Sequence, residues 1–124
     1  MRFNIAIIWA IIIAILHAIP GPRVTDFSFT FFHLDKLIHI VLFMLGIYFF
    51  AIAYEEKQRK MFLIPLVISF VLYGGFLEIM QSVFFKNRFS DIYDWIADII
   101  GVFIGIIFFH KFPKGLSLNY LKKD

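Results

Sequence analysis

The chain of 124 residues is 61% hydrophobic and only 17% charged, with a mean hydropathy of +0.86. A soluble domain this small buries only about two-thirds of its chain area, too little to hide so much apolar surface, and a disordered chain would be far more polar; the composition is that of one integral membrane domain. The absence of cysteine excludes a disulfide scaffold, thiolate zinc sites and a thiol nucleophile, and the formal net charge of +3 does not indicate nucleic acid, because the basic residues follow the loops.

Four apolar runs stand out, at 3–19, 37–54, 61–85 and 92–109. Each is long enough to cross a hydrocarbon core of ~30 Å with some tilt or interfacial help. Lipid offers no hydrogen-bond partners to the backbone, so each must be a helix. The expected fold is all-α, a four-transmembrane-helix bundle forming a single domain over 1–124. The first run closes at Pro20-Gly21-Pro22. Ala6, Ala10, Ala14 and Ala18 recur on it at i, i+4, a stripe of small residues that predicts close helix packing. Leu16-His17-Ala18 loosely fits a signal cleavage site, but the apolar run is long for a signal.

Before the second run, Phe27, Phe29 and Phe31 alternate with Ser28, Thr30 and Phe32. Aromatic residues favour the membrane interface, so this stretch reads as a segment lying on the outer surface, either an anchor or a lid. The patch Glu55-Glu56-Lys57-Gln58-Arg59-Lys60 between the second and third runs reads as a solvated tight turn. With both termini inside, eight Lys and Arg residues fall inside (Arg2, Lys57, Arg59, Lys60, Lys111, Lys114, Lys122, Lys123) and four outside (Arg23, Lys36, Lys86, Arg88). The bias predicts an N-in, C-in orientation.

An ionisable residue inside a span costs about 2.5–3.5 kcal/mol on insertion scales. Asp35, Lys36 and His39 nevertheless open the second span, Glu78 and Gln81 occupy the last turns of the third, and Asp94 and Asp98 the first turns of the fourth, with Asp91 just before them. In the N-in orientation all of them fall in the outer half. Asp91, Asp94 and Asp98 share one helix face, which Gly101 and Gly105 continue. Gly74, Glu78 and Gln81 share another, and Asp35, His39 and Gly46 a third. The three stripes predict one shared interior site, an outward-facing polar pocket. Simpler roles compete: Asp35 and Asp91 as N-caps, Lys36 as a snorkelling residue at the interface, His39 as a hydrogen-bonded packing residue. Glu78 and Asp98 resist such readings, because caps do not occur two turns deep. Arg88 reads as a partner for Glu78 or Asp91, and His17 and His33 suit the outer interface.

No nucleophile elbow, phosphate loop, Ser-x-x-Lys or H-E-x-x-H motif is present, and neither Ser82 nor Ser90 has a supporting motif. Glu78, Asp94 and Asp98 cannot share a low-dielectric site without compensation from a cation, from Arg88 or from a bound proton. Oxygen ligands with one His suit Mg²⁺, Mn²⁺ or Ca²⁺. The spacing dictates no coordination shell, so Arg88 and protonation are preferred, and neither a metal nor another cofactor is assigned.

Asp35-Lys36-Leu37-Ile38-His39 resembles the D-K-x-x-H motif of the VanZ-like family of bacterial membrane proteins. Glu78-Ile79-Met80-Gln81, then Arg88, Asp91 and Asp94, is similar to its E-x-x-Q, R and D-x-x-D elements. Ala97-Asp98-Ile99-Ile100-Gly101 with Gly105 resembles its A-N-x-x-G-x-x-x-G ending, with Asp98 standing where the family usually has Asn. The match spans about 33–107. It implies a multi-pass protein of the bacterial cytoplasmic membrane with a role at the cell envelope; the name-giving member is associated with resistance to the glycopeptide teicoplanin.

Together these readings predict a protein that binds a lipid headgroup or surface-polymer precursor. Glu78, Asp94 and Asp98 would form the pocket floor and His39 and Asp35 one wall. Arg88 would face an anionic group of the ligand or hold the carboxylates apart, and Gln81 would orient the ligand. One rival is an intramembrane enzyme with His39 and Glu78 as acid and base. Another is a structural accessory subunit in which the network only locks the helices. The lipid bilayer is the expected partner, nucleic acid is not, and the oligomeric state is open.

Overall fold

The computed structural model describes residues 2–19, 29–54, 56–84 and 91–113, by backbone alone at 29–33, 56 and 59. The described chain is all-helical: α1 is Arg2–Ala18, α2 Phe29–Ala53, α3 Glu56–Phe84 and α4 Ile92–Lys111. Three of these, α2, α3 and α4, are long and apolar enough to cross a membrane. The shorter α1 has 17 residues, or roughly 25 Å at the usual helical rise.

Two boundaries differ from expectation. The aromatic stretch before the second span is helical from Phe29 onward, as the first turns of α2, while its earlier part at 20–28 lies outside the described residues. A short run of mostly aromatic residues fits a period of 2 and a period of 3.6 equally well, and no Pro or Gly interrupts it. Similarly, α3 begins at Glu56, inside the patch read as a turn. Lys57, Gln58 and Lys60 are good helix formers and extend the helix beyond the hydrocarbon.

Helix α2 is the centre of the bundle, packing against α1, α3 and, most extensively, α4; α3 also packs against α4 and α1. The close α2–α4 seam depends on glycine. A Cβ on Gly101 would collide with the Ile40 carbonyl of α2, and one on Gly105 with that of Met44. Phe43, Ile47, Ile13 and Val102 form the fully buried centre. The outward faces are apolar, with Ile8 and Ile11 of α1, Leu72 and Phe76 of α3 and Phe103 and Ile107 of α4 all exposed, as lipid-facing surfaces require.

Aromatic side chains tie the helices through backbone carbonyls. Trp9 Nε1 donates to Leu42 O (3.0 Å), Tyr73 Oη to Ala10 O (2.7 Å) and Trp95 Nε1 to Val71 O (2.9 Å). Hydrogen bonds between helices in membranes contribute ~0.6 kcal/mol on average, so these set register more than stability. The alanine stripe of α1 does not pack closely along its length. Ala6 is buried, but Ala10, Ala14 and Ala18 line an open apolar cleft of about 760 Å³ with Leu66, Phe70 and Tyr73 of α3.

Candidate functional site

The polar residues of the spans meet where the C-terminal ends of α1 and α3 adjoin the N-terminal halves of α2 and α4. Packing at Gly101 and Gly105 brings α2 and α4 together, and this sets His39 against Asp98: His39 Nδ1–H donates to Asp98 Oδ1 at 2.8 Å. Gly74 of α3 makes room for the Asp98 carboxylate, since a Cβ there would lie 2.9 Å from Oδ2. One turn further along α3, Glu78 enters the same space, and its Oε2 accepts from the Asp91 backbone N–H at 3.3 Å.

The cluster grades from half-exposed to buried. At the open end Lys36 Nζ donates to Asp91 Oδ2 at 2.9 Å and also to Asp94 Oδ1. Asp91 caps α4 as well, accepting from Tyr93 N–H at 2.9 Å. Beneath this pair His39, Glu78, Gln81, Asp94 and Asp98 are all buried. Two carboxylate oxygens, Glu78 Oε1 and Asp98 Oδ2, are buried without a hydrogen-bond partner among the described residues.

The structure therefore brings together Asp35, His39, Glu78, Gln81, Asp91, Asp94 and Asp98, while Arg88 lies outside the described residues, as do Ser90 and the side chain of His33. Several roles differ from expectation. Asp35 is not an N-cap, because α2 begins at Phe29; it lies instead with His39 and Asp94, with ligand atoms mutually within 4.8 Å. Lys36, read as a snorkelling residue, is the described cation that engages the acids. Its i, i+3 spacing from His39 puts the two on one helix face, a signal that was present in the sequence. Gln81 Nε2 donates to the His17 carbonyl at 2.9 Å and so ties α3 to the end of α1. Gly46 sits apart from the site, against Phe70, Ile13 and Trp9.

His17 belongs to the site rather than to the interface. Its ring is buried and lies edge-on to that of His39, with centroids 4.7 Å apart. His17 Nδ1–H donates to Ile13 O at 2.8 Å. Ala6, Ile13 and His17 form the buried face of α1, and an ionisable residue continuing an inward apolar face is the pattern that marks a site in a membrane span.

The chemistry available is a His–carboxylate pair with a second histidine and a further carboxylate beside it, and a lysine bridging two acids at the half-exposed end; no Ser, Thr or Cys joins them among the described residues. No curated protein and no solved structure matches the chain. A family model described as VanZ/LLP1 matches residues 3–113. That match covers all four helices and every polar residue of the cluster, and the chain is a multi-pass membrane protein that belongs to the VanZ/LLP1 family.

Proposed function

We propose that this protein resides in the bacterial cytoplasmic membrane with both termini inside, and binds a lipid or lipid-linked surface-polymer precursor by its headgroup. The observation that carries this reading is a match of depth. The apolar cleft along α1 and α3 includes Ala18, the neighbour of His17 in the polar cluster. Phe43 packs against His17 and also against Phe70 and Tyr73 of the cleft lining, so one aromatic side chain links the two regions. A lipid chain held in the cleft would place its headgroup at the level of the cluster. The half-exposed Lys36–Asp91 end is the entrance, Glu78, Asp94 and Asp98 are the floor, and Asp35 and His39 one wall. Arg88 supplies a second cation for an anionic ligand group. Capture of a surface-polymer precursor here would account for a role in glycopeptide resistance, teicoplanin included.

Mass-spectrometric identification of the lipids retained by the purified protein tests this reading. A defined headgroup class should be enriched over its share of the membrane and lost in Ala14→Trp, which fills the cleft. Lipids retained in bulk proportions by both proteins would refute it. The buried His39–Asp98 pair favours one further reading, an intramembrane enzyme using acid–base or metal-assisted chemistry on the same lipid-linked substrate; its sign would be a chemically altered lipid in the wild type and an unaltered one in His39→Ala.

A further inference from the structure

The geometry points to a divalent transition-metal site formed by His17, His39, Glu78 and Asp98, one ligand from each of the four helices. Each residue offers one ligand atom, and the four atoms all lie within 4.8 Å of one another. Zinc–nitrogen and zinc–oxygen bonds of roughly 2.0–2.2 Å put tetrahedral ligand atoms about 3.3–3.6 Å apart.

Three observations separate this group from an ordinary acidic cluster. First, Asp98 is 0% exposed and Glu78 4%, yet Asp98 Oδ2 and Glu78 Oε1 have no hydrogen-bond partner among the described residues. A buried carboxylate oxygen left so is costly unless something else satisfies it. Second, both histidines are held in the orientation that ligates through Nε2. His17 Nδ1–H donates to Ile13 O and His39 Nδ1–H to Asp98 Oδ1, which leaves Nε2 of each ring to carry the lone pair in the neutral form that a metal selects by releasing any further proton. Metal-bound histidines are oriented in this way by a carbonyl or carboxylate on the other nitrogen. Third, two neutral imidazoles and two carboxylates carry a charge that one divalent ion cancels, whereas Lys36 is engaged by Asp91 and Asp94.

The donor set decides the class of metal. With one imidazole and oxygen ligands, Mg²⁺ or Ca²⁺ would be the natural choice. The second imidazole, from α1, shifts the preference to a borderline first-row ion, with Zn²⁺ the best match for four N and O ligands. A second group, Asp35, His39 and Asp94, shares His39, but there a cation would have to displace Lys36 from Asp94.

The site occupies the inner part of the cluster assigned above to headgroup binding but does not depend on that reading, since metal content and retained lipid are measured separately. The test is elemental analysis of the tag-free protein purified without chelator, followed by chelator stripping and titration with Zn²⁺ alone, with Co²⁺ absorption as the reporter of four-coordinate geometry. The expected result is one transition-metal ion per chain in the wild type, Zn²⁺ affinity lowered at least ~10-fold in His17→Ala and in Asp98→Asn, and unchanged occupancy in His110→Gln, an exposed histidine near the far end of α4. His17→Gln, which keeps a polar group of similar length, guards against loss by misfolding and should show the same loss with a thermal transition equal to that of the chelator-stripped wild type. A wild type that holds no stoichiometric metal and no saturable Zn²⁺ would overturn the proposal. So would metal retained undiminished by His17→Ala and Asp98→Asn.

Discussion

His39 and Asp98, 59 positions apart in the chain, share a 2.8 Å hydrogen bond in the buried seam between α2 and α4. The bond explains how a carboxylate is accommodated where the family usually carries an amide. An Asn side chain keeps a carbonyl oxygen in the same place, so His39 Nδ1–H can donate to either residue.

Asp98→Asn should accordingly leave the thermal transition of the detergent-solubilised, chelator-treated protein within about 1 kcal/mol of the equally treated wild type, or raise it, because neutralising a buried charge removes a desolvation cost. Asp98→Ala should cost about 1–3 kcal/mol, since it leaves His39 without its acceptor. Equal losses in the two variants would show that the carboxylate, and not the acceptor, holds the seam.

Lys36 gives a sharper contrast between location and role. A lysine that only reaches for the interface is replaceable by methionine at little cost. A lysine that bridges Asp91 and the buried Asp94 is not: Lys36→Met should destabilise by about 1–3 kcal/mol, less than removing one partner of a fully buried pair because solvent reaches this end of the cluster. The double variant with Asp94→Leu should recover most of that loss. Additive losses in the cycle would contradict the ion pair.

Close approach predicts the effect of substitution at two glycines. Gly101→Ala drives a methyl group into the backbone of Ile40, which cannot rotate away, so α4 must move off α2. We expect about 1–3 kcal/mol of destabilisation, together with loss of the His39–Asp98 bond, seen as a changed imidazole ¹⁵N shift. Gly75→Ala meets only the Trp95 side chain, at 3.2 Å, and should cost less.

The four helices were legible because apolar runs of this length and composition admit no other structure in a bilayer, although only α2, α3 and α4 are long enough to count as spans, and the Asp91/Asp94/Asp98 and Gly101/Gly105 periodicity marked the right face of α4. What was not legible depended on neighbours. Helix faces placed His17 and Lys36, but their partners lie on other helices, His39 for His17 and Asp91 and Asp94 for Lys36, and no local pattern pairs them. The alanine stripe of α1 predicted close contact along its length, but Ala10, Ala14 and Ala18 face a cleft lined on α3 by the large residues Leu66, Phe70 and Tyr73. The start of α2 was hidden by an aromatic run that fits two periodicities.

Orientation is testable on a chain without native cysteine. In the N-in, C-in arrangement, an impermeant thiol reagent applied to intact cells should label Asn87→Cys and spare Gln58→Cys. The reverse pattern would invert the protein and turn the Lys36–Asp91 entrance toward the cytoplasm.

Whether the cluster binds a ligand or only locks the bundle comes down to Glu78. Glu78→Gln preserves shape and an acceptor for the Asp91 N–H, and it removes a buried acid that no described lysine bonds. The most direct measurement is the amount of the enriched lipid retained by purified Glu78→Gln, compared with the wild type at matched thermal stability, both proteins stripped of metal with chelator. Loss of that lipid from a variant that unfolds at the wild-type temperature or above is the predicted result. A variant that keeps the lipid in full, or that is destabilised by several kcal/mol as the lock of a bundle would be, would contradict it.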